Sequence, residues 1–154
     1  MNLIHHLFDI QAPPERVFRS ITTADGLASW WTTKVRADSA EVGSLFLFTF
    51  GGPFNPQLRI TRIEPRSRLV WEGVSGHDAW GSTTIEFSLD PIDNGTMVRF
   101  WHQMGLELPE DAVASANFNW GYYLDSLRLF CETGEGKPYR SGDPTARVGA
   151  TSSA

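Results

Sequence analysis

The stretch STTIEFSLDPIDNGTMVRFWHQM, residues 82–104, decides the fold. Its first nine residues set Thr83, Ile85, Phe87 and Leu89 on one face against Ser82, Thr84, Glu86 and Ser88 on the other. A period of two belongs to a strand with one buried face. Asp93-Asn94-Gly95 follows, and Asn-Gly accepts the positive φ angles that tight hairpins require. Residues 96–104 then resume the alternation, with Val98, Phe100, His102 and Met104 opposed to Met97, Arg99, Trp101 and Gln103. Two such strands joined by a tight turn are antiparallel.

The same period extends upstream from Arg36. Residues 44–50 (SLFLFTF) align Phe46, Phe48 and Phe50, and the segments 57–64 and 68–74 flank the turn Glu64-Pro65-Arg66-Ser67. Residues 2–10 read as a further strand, closed by Ala12-Pro13-Pro14. Pro14 suits the first turn of a short helix over about 14–22, where its missing N–H costs nothing. Thr23 is placed to cap a second short helix ending at Trp30-Trp31. Pro109, followed by Glu110 and Asp111, opens a last helix of ~25 residues, ~37 Å long, which Gly134 closes. The expected class is α+β: a curved antiparallel sheet of about six to seven strands around a long C-terminal helix, with two short helices after the first strand.

With 154 residues, the chain suits one domain, over 1–136, with 137–154 as a tail without periodicity. The net charge is −5 with Lys and Arg scattered, so the basic stripe that nucleic acid requires is missing. No apolar run approaches the ~20 residues of a membrane span. No basic-then-apolar leader opens the sequence, and a single cysteine, Cys131, fits a reducing compartment. The expected location is cytoplasmic.

Several local patterns carry a family resemblance. Ala12-Pro13-Pro14-Glu15-Arg16-Val17-Phe18, the pair Trp30-Trp31, Ile63-Glu64-Pro65-Arg66-Ser67-Arg68-Leu69-Val70, Gly95-Thr96-Met97-Val98 with His102, and Leu127 through Gly134 occur in that order. In this order they resemble the START-like helix-grip (SRPBCC) superfamily, and within it the family related to the activator of heat shock protein 90 ATPase. The resemblance implies a cavity between the concave sheet face and the long helix. That scaffold serves carriers, small-molecule binders, cyclases and chaperone partners, so function has to come from the site.

Six Trp and ten Phe exceed what packing alone needs. The alternation turns Phe46, Phe48, Phe50, Leu58, Ile60, Trp71, Ile85, Phe87, Phe100 and His102 inward, opposite Trp120 and Tyr123 on the helix. Two arrangements fit: a filled core, or a pocket for a small apolar or amphipathic ligand, which the excess of rings favours. The expected ligand contacts are Trp31, Phe48, Phe50, Leu58, Trp71, Phe87, Phe100, His102, Trp120 and Tyr123. Trp30-Trp31, residues 51–56 and the loop 75–81 are expected to form mobile lips with exposed aromatics. His102 reads as a hydrogen-bond donor to ligand, a general acid–base, or a core histidine satisfied by a neighbouring backbone or hydroxyl group.

Other chemistry has little support. His5 and His6 point to opposite strand faces and cannot chelate one ion together, His77-Asp78 has no further ligands nearby, and no metal is expected. No Gly-x-Ser-x-Gly elbow is present, Cys131 reads as structural, Glu72 points outward, and Gly134-Glu135-Gly136-Lys137 is no P-loop, so no cofactor is expected. Phe118, Tyr122 and Leu129 form a second, outward stripe on the last helix, to be covered by the tail or by a second copy of the chain. A cyclase or dehydratase using His102, and a chaperone-associated protein-binding domain, are the alternatives to a ligand binder.

Overall fold

In the computed structural model, which describes residues 3–75 and 80–140, the chain runs β1 (Leu3–Ile10), α1 (Pro14–Thr22), α2 (Ala24–Trp30), β2 (Lys34–Ala37), β3 (Leu45–Thr49), β4 (Gln57–Glu64), β5 (Arg68–Ser75), β6 (Thr84–Ile92), β7 (Gly95–Gln103) and α3 (Glu110–Thr133). The seven strands form one curled antiparallel sheet in the order β1-β7-β6-β5-β4-β3-β2. It is a meander whose last strand returns to pair with the first, across Ile10↔Thr96 to Leu3↔Gln103. The helix α3 packs against β1, α1 and α2. No helix among the described residues is long and apolar enough to cross a membrane.

Local chemistry explains the elements. Pro14 stands at the start of α1, and Thr23 Oγ1 accepts from Gly26 N at 3.0 Å to cap α2. Such a cap stabilises a helix by about 1 kcal/mol. Gly134 ends α3 in the left-handed region at φ 89°, where a side chain would be strained. At the β6–β7 hairpin, Ile92 pairs with Gly95, so the turn residues are Asp93 and Asn94. Asn94 alone takes the positive φ there, at 64°. Gly95 is needed for another reason: a Cβ on it would overlap the carbonyl oxygen of Ile10, where β1 leaves the sheet.

The alternation is in register across the sheet. Thr83, Ile85, Phe87 and Leu89 are buried, as are Val98, Phe100, His102 and Met104. In β4 a register shift between Ile60 and Arg62 re-phases the strand, so that Leu58 and Ile60 are buried and Ile63 next turns inward. Glu72 is exposed, as expected.

Residues 137–139, at the start of the expected tail, fold back onto the domain: Lys137 N donates to Ser126 Oγ at 2.6 Å, and Tyr139 N to the Trp31 carbonyl at 2.8 Å. Thr33 N returns a bond to the Tyr139 carbonyl at 3.1 Å. Ser126, buried on α3 and also donating to the Trp30 carbonyl at 2.8 Å, is the polar anchor for this return.

Candidate functional site

The space between the concave face and α3 is filled by rings. Phe48 projects from β3 and Phe50 from just beyond its end, Leu58 from β4, Trp71 from β5, Phe87 from β6, and Phe100 and His102 from β7. The helix supplies Trp120 and Tyr123, and Trp31 stands at the end of α2. Each of these ten expected contacts is at most 1 % exposed. Trp31 packs on Phe48 (centroids 4.6 Å apart), Trp120 (5.2 Å) and Phe50 (5.3 Å). Trp120 in turn packs on Phe100 at 4.5 Å, and Phe100 meets Phe87 edge-on at 5.1 Å. Tilted and edge-to-face pairs of this kind each add about 0.5–1.5 kcal/mol beyond their buried area.

The expected lips differ from the expectation. Trp30, Trp31, Phe54 and Trp80 are fully buried rather than exposed. Trp30 donates its indole N–H to the Ser20 carbonyl at 2.8 Å, which locks it between α1 and α2. Phe54, from the β3–β4 connection, lies 5.0 Å from Phe50 and 5.4 Å from Trp80. Trp80, just before β6, lies 4.7 Å from His102 and 6.0 Å from Trp31. A ring of this size gains more from burial than a solvated lip would retain. His77 and Asp78 lie outside the described residues.

His102 is fully buried, and both of its nitrogens are engaged. Trp120 Nε1 donates to Nδ1 at 2.8 Å, which assigns the imidazole proton to Nε2. Nε2–H then donates to Thr83 Oγ1, whose own hydroxyl donates to the Gln103 carbonyl at 3.0 Å. Burial drives the His102 pKa down to about 3, so the ring is neutral at physiological pH. This is the core histidine satisfied by a hydroxyl. An acid–base role would have to break two buried hydrogen bonds and charge a desolvated ring.

Thr83 is the residue that sequence reasoning left uncoupled. It stands in the inward phase, two residues before Ile85, the cross-strand partner of His102. Side chains on such diagonals reach one another. Otherwise the interior has no charged lining: among the described residues no Lys, Arg, Asp or Glu is buried. His5 stacks on Trp101 at 5.1 Å, while His6 faces Phe100 on the other side, and the described residues hold no group of three metal-ligating side chains. Burial raises the thiol pKa of Cys131, which is 2 % exposed and contacts Ser20 Oγ at 3.4 Å.

Larger clefts lie on the outside. One of about 570 Å³ runs between α1, α2 and the end of α3 beside Arg16, Arg19 and Phe130. Another, of about 630 Å³, lies between β1 and the start of α3. Neither is lined by the interior rings.

Residues 11–132 match the family model described as activator of Hsp90 ATPase homolog 1-like protein. No curated protein matches. Among solved structures, the chain is similar to the Aha1 dimer from Colwellia psychrerythraea, at 34% identity over 88% of this chain and 100% of that one, with a TM-score of 0.77. It shares the fold of DynU16, described as a putative protein in the dynemicin biosynthetic locus, at 18% identity over 88% of this chain and 49% of that one (TM-score 0.72). It likewise shares the fold of CalU16 from Micromonospora echinospora, at 20% identity over 93% and 76% of the two chains (TM-score 0.69).

Proposed function

The chain belongs to the activator of Hsp90 ATPase homolog 1-like family, and we propose that it binds a small apolar molecule between the concave face of its sheet and α3. The observation that carries this reading is how the ring cluster is closed. Phe48, Phe87, Phe100 and Trp120 stand on strands or on α3, held by regular hydrogen bonding. Phe54 and Trp80 come instead from connections, and connections open locally at lower cost than strands or helices do. Withdrawing these two rings bares Phe50, Trp31 and Trp120, an apolar surface of the kind ligand sites present. In this reading Trp31, Phe48, Phe50, Leu58, Trp71, Phe87, Phe100, Trp120 and Tyr123 form the wall, and His102 fixes the position of Trp120 without touching the reaction of any substrate. The cyclase or dehydratase alternative loses its acid–base group to the Thr83–Trp120 network.

Nile red titration of the wild type, Phe54→Ala and Trp80→Ala tests it. Uptake of the dye, with blue-shifted emission stronger in both variants, is expected. Folded variants that take up no more dye than an unrelated surface would sink the reading.

Self-association is a second reading, favoured by Phe118, which is 61 % exposed on the outward side of α3 with Tyr122 and Leu129 half-buried nearby. The relative from Colwellia psychrerythraea is described as a dimer. Sedimentation of Phe118→Ser beside the wild type decides it: a dimer that the substitution dissociates is expected, and a wild type monomeric at high concentration contradicts it.

A further inference from the structure

We infer that the molecule taken by this interior is neutral and carries a carbonyl-type oxygen that accepts hydrogen bonds from the indole N–H groups of Trp31 and Trp71. The inference rests on the binding reading above and names the chemistry of its ligand. Two interior indoles are satisfied within the protein, Trp30 by the Ser20 carbonyl and Trp120 by His102. Trp31 Nε1 and Trp71 Nε1 are not: both atoms are buried without a partner, on residues 0 % and 1 % exposed. The other buried side-chain atoms in that condition, His6 Nε2 and Arg68 Nε, belong to partly exposed residues.

A buried donor left unmade carries its full desolvation cost, a cost that Phe at either position would not have. The neighbours of the two indoles give no acceptor. Trp71 lies against Phe46, Phe48 and Phe87, and Trp31 against Phe48, Phe50 and the indoles of Trp30, Trp80 and Trp120. A bridging water needs two to four polar partners, and these rings present no acceptor. Both indoles contact Phe48, at 4.6 and 5.9 Å between centroids. A flat molecule seated against that ring lies beside both indoles.

Charge narrows the class. With no Lys or Arg buried among the described residues, a carboxylate headgroup would enter without a counter-ion, at a cost that two indole donors do not offset. A ketone, quinone or lactone oxygen meets the donors without that cost, which sets the ligand apart from a fatty acid.

The test uses matched pairs differing in the acceptor alone: fluorenone with fluorene, and indanone with indane. Each is titrated into ¹⁵N-labelled protein while the indole N–H resonances are followed, assigned through Trp31→Phe and Trp71→Phe. Phe keeps an aromatic ring at each of these buried positions but a smaller one, so each variant is expected to stay folded with a lowered melting temperature, checked by circular dichroism before the titration. The ketones are expected to bind ~10-fold more tightly than the hydrocarbons, the gain of satisfying a buried donor, with the Trp31 and Trp71 signals moving. The double variant is expected to erase that preference, so that ketone and hydrocarbon of each pair bind it alike. Equal affinity within each pair, or a preference that survives the double variant, overturns the inference and leaves the binding reading standing. If no member of either pair binds, the binding reading itself fails.

Discussion

Replacing His102 by Leu makes the stability of this protein respond to pH in a way that only a buried neutral imidazole allows. Unfolded, the histidine titrates near 6.5; folded, burial holds it at about 3. Below pH 6.5 the unfolded chain therefore binds a proton that the folded chain refuses, and stability falls with pH. The loss is about 1.4 kcal/mol per pH unit, or roughly 2 kcal/mol between pH 6.5 and 5. In His102→Leu this loss disappears, since no titrating group remains at the site. The variant starts lower, however. It strips Trp120 Nε1 of its acceptor, which costs about 1–3 kcal/mol, whereas Thr83 keeps the Gln103 carbonyl. The wild type should thus be about 2 kcal/mol the more stable at pH 7.5, with the two proteins converging near pH 5. Urea unfolding of both at pH 7.5, 6.5, 5.5 and 5 measures this, with His6 and the carboxylates contributing alike to each protein. A gap that stays constant over that range would show that His102 titrates like an exposed histidine, and would refute the closed network.

Two further outcomes follow from the packing. Gly95→Ala pushes a Cβ into the Ile10 carbonyl, so it should lower stability by about 1–3 kcal/mol and speed amide exchange along β1; an unchanged melting temperature would contradict the close approach. Cys131, buried with its thiol pKa raised, should resist a thiol-labelling reagent at pH 8 in the native state and react at once in 6 M guanidinium. Fast native labelling would mean that the α1–α3 contact opens.

Much of this fold could be read in residues 82–104 and outward, because a hairpin turn sets register and register sets which face each side chain takes. Caps and breakers at Pro14, Thr23, Pro109 and Gly134 placed the helices for the same local reason. What escaped was decided by contacts distant in the chain. Trp30 is buried by Ser20 and Trp31 by Phe48 and Trp120, so a pair of aromatics at a helix end looked like a lip. Phe54 and Trp80 sat among Gly and Pro, and residue type alone does not tell a ring folded inward from one facing water. Residues 137–139 have no periodicity, yet Ser126 and Trp31 bind their backbone. Of the candidate site, the burial of the expected contacts in the sheet could be read from the alternation, whereas the pairing of His102 with Thr83 and the unmet donors of Trp31 and Trp71 depend on side-chain geometry that no spacing encodes.

Native mass spectrometry of the protein isolated from its own host tests most directly whether the interior holds a small, neutral, apolar molecule. An added mass of a few hundred daltons is expected, lost on denaturation, whose extracted compound contains a carbonyl oxygen. Bare protein throughout, with Nile red and the ketone probes equally without effect, would contradict it.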